Sequence, residues 1–283
     1  MKMKKSYHLL KLIPLKLRLH IYYLLKFRTI LNLKNPFRYS EKIQKRKLNL
    51  LSSYSTLSDK LLVKDYISSK IGSDYIIPTI FSCKNPNEIK FHQLPDKFVI
   101  KTNFGSGAQH ISIIKDKKSI NEKEIIDKFN LALKDSYQGS ILGECQYDSI
   151  EKNILIEKFI ENDNNDIDDF KFHIFNSKDG FLQIDFDRFN NHRRNLYDFS
   201  FNKLDYGLCY PTGNYKLPPL NKLNEMKDIA FKLSEGFDFV RVDLYLVGEQ
   251  ILFGEMTFTP GSGFEKFSDP NADKLYGSMW VQN

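Results

Sequence analysis

The strongest constraint on this chain lies between residues 238 and 257. Val240-Arg241-Val242-Asp243-Leu244-Tyr245 alternates apolar and charged residues, and Ile251-Leu252-Phe253-Gly254-Glu255-Met256-Thr257 follows after a short polar turn. The runs 238–246 and 250–257 read as two strands of a hairpin around Gly248-Glu249. Successive side chains of a strand point to opposite faces, so Arg241, Asp243, Glu255 and Thr257 fall on one side of the sheet. Two carboxylates then face one another. Such a pair repels unless a cation lies between them, and hard oxygen ligands of this kind hold Mg²⁺ that also bridges nucleotide phosphates. The competing reading is a solvated face with an Arg–Asp pair, but the neighbouring residues are apolar and charges in such strands need partners.

A second constellation is Phe98-Val99-Ile100-Lys101-Thr102-Asn103-Phe104-Gly105-Ser106-Gly107, where a buried strand ends in a lysine and runs into a Gly-Ser-Gly loop. Glycines let backbone N–H groups approach phosphate oxygens, and the lysine adds a fixed positive charge beside them. An ordinary hairpin turn uses the same residues. A third is Ile154-Leu155-Ile156-Glu157-Lys158-Phe159-Ile160, an apolar strand whose end suits an adenine ring: backbone groups read its edge while Phe159 and Ile160 give apolar contact.

Around these pieces the chain reads as helix over 40–52, helix from a Ser58 or Asp59 cap to Ile71, and strands at 75–82, 98–102 and 110–114. A helix at 121–134, strands at 153–160, 170–175 and 180–186, and a helix at 221–235 follow. Glu161 to Asp169, rich in Asp and Asn, reads as a loop. Hairpins with interspersed helices argue an α+β fold, and 283 residues suit two or three lobes sharing a cleft. Cys83, Cys145 and Cys209 are far apart, which indicates neither a zinc site nor a disulfide framework and makes a reducing cytosol the default.

The net charge of +7 is unevenly placed. Residues 1–40 hold seven Lys and three Arg with no acid before Glu41, so this arm carries +10 and the rest of the chain −3. Leu, Ile, Tyr and Phe interleave with the cations from Tyr7 to Leu33. Such a helix either lies on an anionic membrane surface or an acidic partner, or packs on its own globule with its cations in solvent. Interrupting cations argue against a signal peptide or a spanning helix. Charge confined to one arm fits nucleic-acid binding poorly.

Taken in order, Ser58-Asp59-Lys60, Phe98-Val99-Ile100-Lys101, Gly105-Ser106-Gly107, Ile156 to Ile160, Arg241-x-Asp243 and Glu255-x-Thr257-x-x-Pro260-Gly261 resemble the ATP-grasp superfamily. The chain more closely resembles the TupA-like ATP-grasp family, named for teichuronopeptide synthesis. Asp169-Phe170-Lys171-Phe172, Asn191-His192-Arg193-Arg194-Asn195 with Tyr197-Asp198, and Gly254 to Phe258 with Pro260-Gly261-Ser262-Gly263 carry the narrower likeness, which covers roughly residues 36–275.

The resemblance implies an ATP-grasp fold with a nucleotide cleft between two α+β lobes and a basic helical arm. Its expected parts are the arm at 1–35, an N-terminal lobe at 36–95, a lobe with the glycine loop at 96–165, and a C-terminal lobe with the metal and substrate sites at 166–283. Lys60 and Lys101 would contact phosphates, Gly105, Ser106 and Gly107 would close over them, and Glu157, Lys158, Phe159 and Ile160 would form the adenine hinge. Asp169 falls near the ribose-binding acid, and Asp243 and Glu255 correspond to Mg²⁺ ligands. The family's third metal residue is Asn, where this chain has Thr257. Arg241, with Lys101, would steady the transferring phosphoryl group.

The implied reaction is ATP-dependent joining of a carboxylate to an amine through an acyl phosphate, on a uronic-acid-containing surface polysaccharide or its precursor. Lys171, Arg188, His192, Arg193, Arg194, Gly261 and Ser262 would hold an anionic small-molecule or polysaccharide substrate. The basic cluster among them reads equally as ion pairs with Asp185, Asp187 and Asp198. The expected place is the cytoplasm, with the arm at the inner membrane face. A metal-dependent glycosyltransferase is the rival of a different class, and a non-catalytic nucleotide-binding protein is a third reading.

Overall fold

Ile154, Leu155 and Ile156 are fully buried because their strand is an inner one of a four-stranded sheet. The computed structural model describes residue 10 and residues 12–161, 167–188 and 190–282. The expectations for residues 1–9, residue 11 and the Asp/Asn stretch 162–166 lie outside these residues.

The first sheet holds β1 (Thr79–Cys83), β2 (Phe98–Thr102), β3 (Ile111–Ile114) and β4 (Ile154–Lys158), all antiparallel in the order β1-β4-β2-β3. One face packs Phe98, Ile100, Ile154 and Ile156 against Ile125, Phe129 and Ala132 of the helix Glu122–Ala132. Asn121 starts that helix by accepting the N–H groups of Lys123 and Glu124 at 3.1 and 3.3 Å. Lys101 and Glu157 belong to the other face, two residues along from Val99 and Leu155.

The second sheet holds β5 (Asp169–Phe175), β6 (Asp179–Phe186), β7 (Arg193–Tyr197), β8 (Phe239–Val247) and β9 (Gln250–Thr257), antiparallel in the order β7-β6-β5-β8-β9. Phe170, Phe172, Ile174, Val240, Val242 and Leu244 face a large core with Leu223, Met226, Ile229 and Leu233 of the helix Leu220–Ser234. Period-two alternation turns Asp169, Lys171, His173, Arg241 and Asp243 to the opposite face. Further along that face Phe175, Phe181 and Phe239 meet Tyr39 and Ile43 of the helix Tyr39–Leu48 and Tyr276 of the helix Pro270–Met279.

The segment 36–95 divides between the two sheets. Tyr54, Leu57, Val63 and Ile67 join the core of the second sheet, whereas Cys83, Ile89, Phe91 and Leu94 join that of the first. The strand expected at 75–82 begins at Thr79, because Ser73–Tyr75 form a 3₁₀ turn and Pro78 has no N–H for a ladder. The helix expected over 40–52 stops at Leu48, and a short one follows at Ser53–Ser58. The next helix begins at Val63 with Leu62 in the capping position, so neither Ser58 nor Asp59 caps it; the Asp59 carboxylate instead accepts the N–H of Leu61 at 2.8 Å in the turn before it.

Candidate active site

The hairpin β8–β9 brings its four polar residues together on one face, through a register shift and not through alternation alone, which from the Val247–Gln250 pair would set Glu255 opposite Val242. Arg241 stands opposite Thr257 and Asp243 opposite Glu255. A bulge follows Asp243, with Gly254 as the extra residue; a Cβ there would lie 3.0 Å from the Tyr245 ring and 3.1 Å from the Asp243 carbonyl. Arg241 donates from Nε to Asp243 Oδ1 at 2.7 Å, and from Nη2 to Asp243 Oδ2 and Glu255 Oε1, each at 2.8 Å. The guanidinium is the cation that separates the two acids. Thr257 Oγ1 accepts from Arg241 Nη2 and donates to Glu255 Oε1, both at 3.1 Å.

Lys171, expected among the substrate contacts, is buried within this network. Its Nζ lies 2.7 Å from Asp243 Oδ2 and 3.3 Å from Asp169 Oδ2, and Arg188 pairs with the same Asp169 oxygen. Burial favours the neutral amine, but Asp169 and Asp243 outweigh it and raise the Lys171 pKa. Burial also pushes the Glu255 carboxyl up, and Lys60 and Arg241 outweigh it to hold the group at about 2.

On the first sheet Glu157 is clamped by two lysines. Its Oε2 lies 2.6 Å from Lys101 Nζ and its Oε1 2.6 Å from Lys64 Nζ. These cations overcome the burial that would raise its pKa and lower it instead. Lys60 joins the two sheets: Nζ donates to the Gly105 carbonyl at 3.0 Å and lies 3.7 Å from Glu255 Oε2. Burial, with Lys101 nearby, lowers the Lys60 pKa against the pull of Glu255.

The glycine loop is anchored at its base. Gly105 N–H donates to Thr102 Oγ1 at 3.1 Å, which is also 2.9 Å from His110 Nδ1, and His110 Nε2 lies 3.0 Å from Asp135 Oδ2. A Cβ on Gly105 would fall 2.0 Å from the His110 ring. Gly107 has φ of +79°, the left-handed region that glycine adopts readily. Ser106 Oγ accepts from Gln138 Nε2 at 3.1 Å. Where the adenine hinge is expected, Lys158 N–H bonds the Pro78 carbonyl at 3.0 Å, while Phe159 and Ile160 remain partly exposed just past β4.

The basic cluster divides. Arg194 Nε lies 2.5 Å from Asp185 Oδ1, with Nη1 2.9 Å from Glu265 Oε1. His192 Nε2 is 3.4 Å from Asp185 Oδ1, and its ring lies on Tyr210 with centroids 3.8 Å apart. Arg193 points to the other face of β7, where it lines a cavity of about 490 Å³ with Phe186, Asp187, Lys203 and Thr212. Gly261 and Ser262 both have φ of +54°. The loop is held from behind by Lys47, whose Nζ donates to Ser262 O and Oγ at 2.7 and 2.6 Å. Burial lowers the Lys47 pKa to about 7 against the pull of Glu144.

Several residues here carried no flag in the sequence. Lys64 looks like a surface helix lysine, although its position four residues after Lys60 hints at a shared face. Asn103 links Asp59 to the loop, donating to Asp59 Oδ2 and to the Glu151 carbonyl, each at 2.9 Å. His110, Lys47 and Glu144 are brought in only by tertiary packing.

A sequence profile of the family described as TupA-like ATPgrasp matches residues 41–281. The chain belongs to the TupA-like ATP-grasp family. The ordered motifs from Lys60 to Gly261 fall inside the matched stretch. Among solved structures, the L-amino acid ligase from Bacillus licheniformis is similar, with 13% identity and a TM-score of 0.47, covering 88% of this chain and 55% of that one. D-alanine--D-alanine ligase from Bacillus anthracis complexed with ATP shows 13% identity and a TM-score of 0.42 over 73% of this chain and 56% of that one. N5-carboxyaminoimidazole ribonucleotide synthetase from Thermus thermophilus shows 15% and 0.40 over 71% and 45%. The TupA-like chain thus spans about half the length of these proteins. No curated protein sequence matches it.

Proposed function

We propose that this chain is an ATP-dependent carboxylate–amine ligase that works through an acyl phosphate. The observation that carries the reading is the facing of two charge systems across Lys60: Arg241, Asp243 and Glu255 on the second sheet, Lys101 and Glu157 with the glycine loop on the first. The six cations Lys60, Lys64, Lys101, Lys171, Arg188 and Arg241 meet the four carboxylates Glu157, Asp169, Asp243 and Glu255 here. The cations gathered here are the charge that a polyphosphate carrying a divalent ion needs.

Asp243, Glu255 and the Thr257 hydroxyl are the oxygen donors that would take Mg²⁺ together with phosphates and water, in exchange for hydrogen bonds they now accept from Arg241 and Lys171. Among the described residues no three His, Cys, Asp or Glu side chains form a metal cage, and Mg²⁺ bound through two carboxylates and substrate phosphates needs none. When bound, the ion would neutralise triphosphate charge. Lys60, Lys101 and Arg241 would place cationic charge around the transferring phosphoryl group, and the Gly105 to Gly107 backbone would cover it and exclude water. The substrate carboxylate oxygen attacks the terminal phosphorus and ADP leaves. The amine nitrogen then attacks the acyl carbon, phosphate leaves, and the nitrogen gives up its proton. No protein nucleophile is required, so orientation and charge are the chain's tasks.

The substrate is proposed to be a uronic-acid carboxylate on a surface polysaccharide or its precursor, with an amino acid or amine as the acceptor. The family's naming for teichuronopeptide synthesis and the arginines at the cleft support this. The test is to supply the carboxylate that sustains turnover with heavy oxygen in its carboxyl group and to analyse the released phosphate. One labelled oxygen in phosphate is the expected result; unlabelled phosphate would overturn the acyl phosphate.

A further inference from the structure

We infer that the helix Leu15–Phe27 docks this protein onto the surface of an anionic lipid bilayer. The helix is fastened to the body along one face only. Leu19 and Tyr23 are fully buried, Tyr23 OH lies 2.9 Å from Ser40 Oγ, and the Arg18 guanidinium donates to the Ser140 and Ile141 carbonyls at 2.6 and 3.1 Å. Tyr22 packs edge-on against Phe264, so the helix is tied directly to the end of the 260–263 loop.

The opposite face is apolar and open. Leu17, Ile21, Leu24 and Leu25 are 53%, 38%, 50% and 61% exposed, at the spacing of one helical stripe, and Leu12 and Ile30 beyond the two ends are each 79% exposed. Lys16, Lys26, Arg28 and Lys34 are exposed around it. No acid precedes Glu41, and the Glu41 carboxylate is itself inside, accepting the N–H groups of Asn32, Phe37 and Arg38. The arm's outer surface therefore offers apolar side chains and positive charge together.

An occupant must supply an apolar phase and negative charge at once. A second copy would set Lys16, Lys26, Arg28 and Lys34 against the same four cations, which charge repulsion opposes. An anionic bilayer meets both demands, its headgroups taking the cations and its acyl boundary the leucines. The helix has 13 residues, short of the ~20 needed to cross a bilayer, and among the described residues no helix is long and apolar enough to do so. Lying in the interface is the geometry left to it.

The experiment is co-sedimentation of the full chain with vesicles of phosphatidylglycerol and phosphatidylcholine, and with phosphatidylcholine alone, at low and high salt. Binding to the anionic vesicles that weakens with salt is expected, with little to phosphatidylcholine. The double variant Leu17→Ser, Leu24→Ser should lower the partition coefficient about tenfold or more while its unfolding midpoint stays unchanged, both side chains being exposed. Equal or absent binding to the two vesicle types would overturn the inference, as would unchanged partitioning of the variant. A wild-type dimer in light scattering that the variant dissociates, without vesicle binding, would assign the face to a second copy instead.

Discussion

Lys60 Nζ donates to the Gly105 carbonyl at 3.0 Å and lies 3.7 Å from Glu255 Oε2. One flexible side chain thereby couples the glycine loop of the first sheet to the carboxylates of the second. A nucleotide bound between them would draw the lysine onto phosphate. Lys60→Met should lower ADP release by about a hundredfold, the scale seen when one charge-stabilising donor is removed, and shift the unfolding midpoint little. Kinetics and a thermal melt of the one variant check both halves.

Gly105 is required by its neighbour. Ala in its place would set a methyl 2.0 Å from the His110 ring, so loop or ring must shift. Gly105→Ala should cost about 1–3 kcal/mol and nearly all turnover. In a His110→Ala background the same substitution should cost less, and a double-mutant cycle reads that coupling directly.

Acid should loosen the site in a defined window. The Glu255 carboxyl is held at about 2, against an ordinary 4.5, by Lys60 and Arg241 in spite of burial. A carboxyl with a lowered folded pKa contributes stability that is complete above its ordinary value and fades as pH falls toward the folded one. The urea midpoint of the wild type should therefore drop below about pH 4.5, and that of Glu255→Gln should drop less steeply.

Thr257 differs from the other site residues in orienting rather than carrying charge. Its hydroxyl bridges Arg241 and Glu255 at 3.1 Å each. Thr257→Val keeps the shape and removes about 1 kcal/mol of hydrogen bonding, so the KM for Mg-ATP should rise about fivefold with a smaller change in kcat. An unchanged KM would mean that the hydroxyl does not hold Glu255 for the nucleotide.

The grouping of Arg241, Asp243, Glu255 and Thr257 was only half legible: alternation pairs Arg241 with Asp243 and Glu255 with Thr257 within each strand, but counted from the Val247–Gln250 pair it would set Glu255 opposite Val242, and the extra residue Gly254 turns it to Asp243. The bulge at Gly254 was not readable, since it depends on how the Tyr245 ring packs. Arg193 and Arg194 look interchangeable in a motif, yet a strand there sends them to opposite faces. That strand, Arg-Arg-Asn-Leu-Tyr, lacks the apolar run that marks an inner strand. The helix Pro270–Met279 did carry local signals, an Asp269 cap and a proline at its first position. Lys64 and Glu157 met only through the fold, being far apart in the chain and joined where the first turn of Val63–Ile71, a helix packed in the second sheet's core, reaches across to β4 of the first.

The most direct test of the ligase assignment is ADP and phosphate release from Mg-ATP across a panel of uronic acids and amino acids with amines, comparing the wild type with Glu255→Gln and Lys101→Ala. Release that requires both a carboxylate and an amine, and that is lost in both variants, is the predicted result. Failure of ATP to bind or turn over, with a sugar nucleotide binding in the presence of Mg²⁺ instead, would contradict it and point to glycosyl transfer.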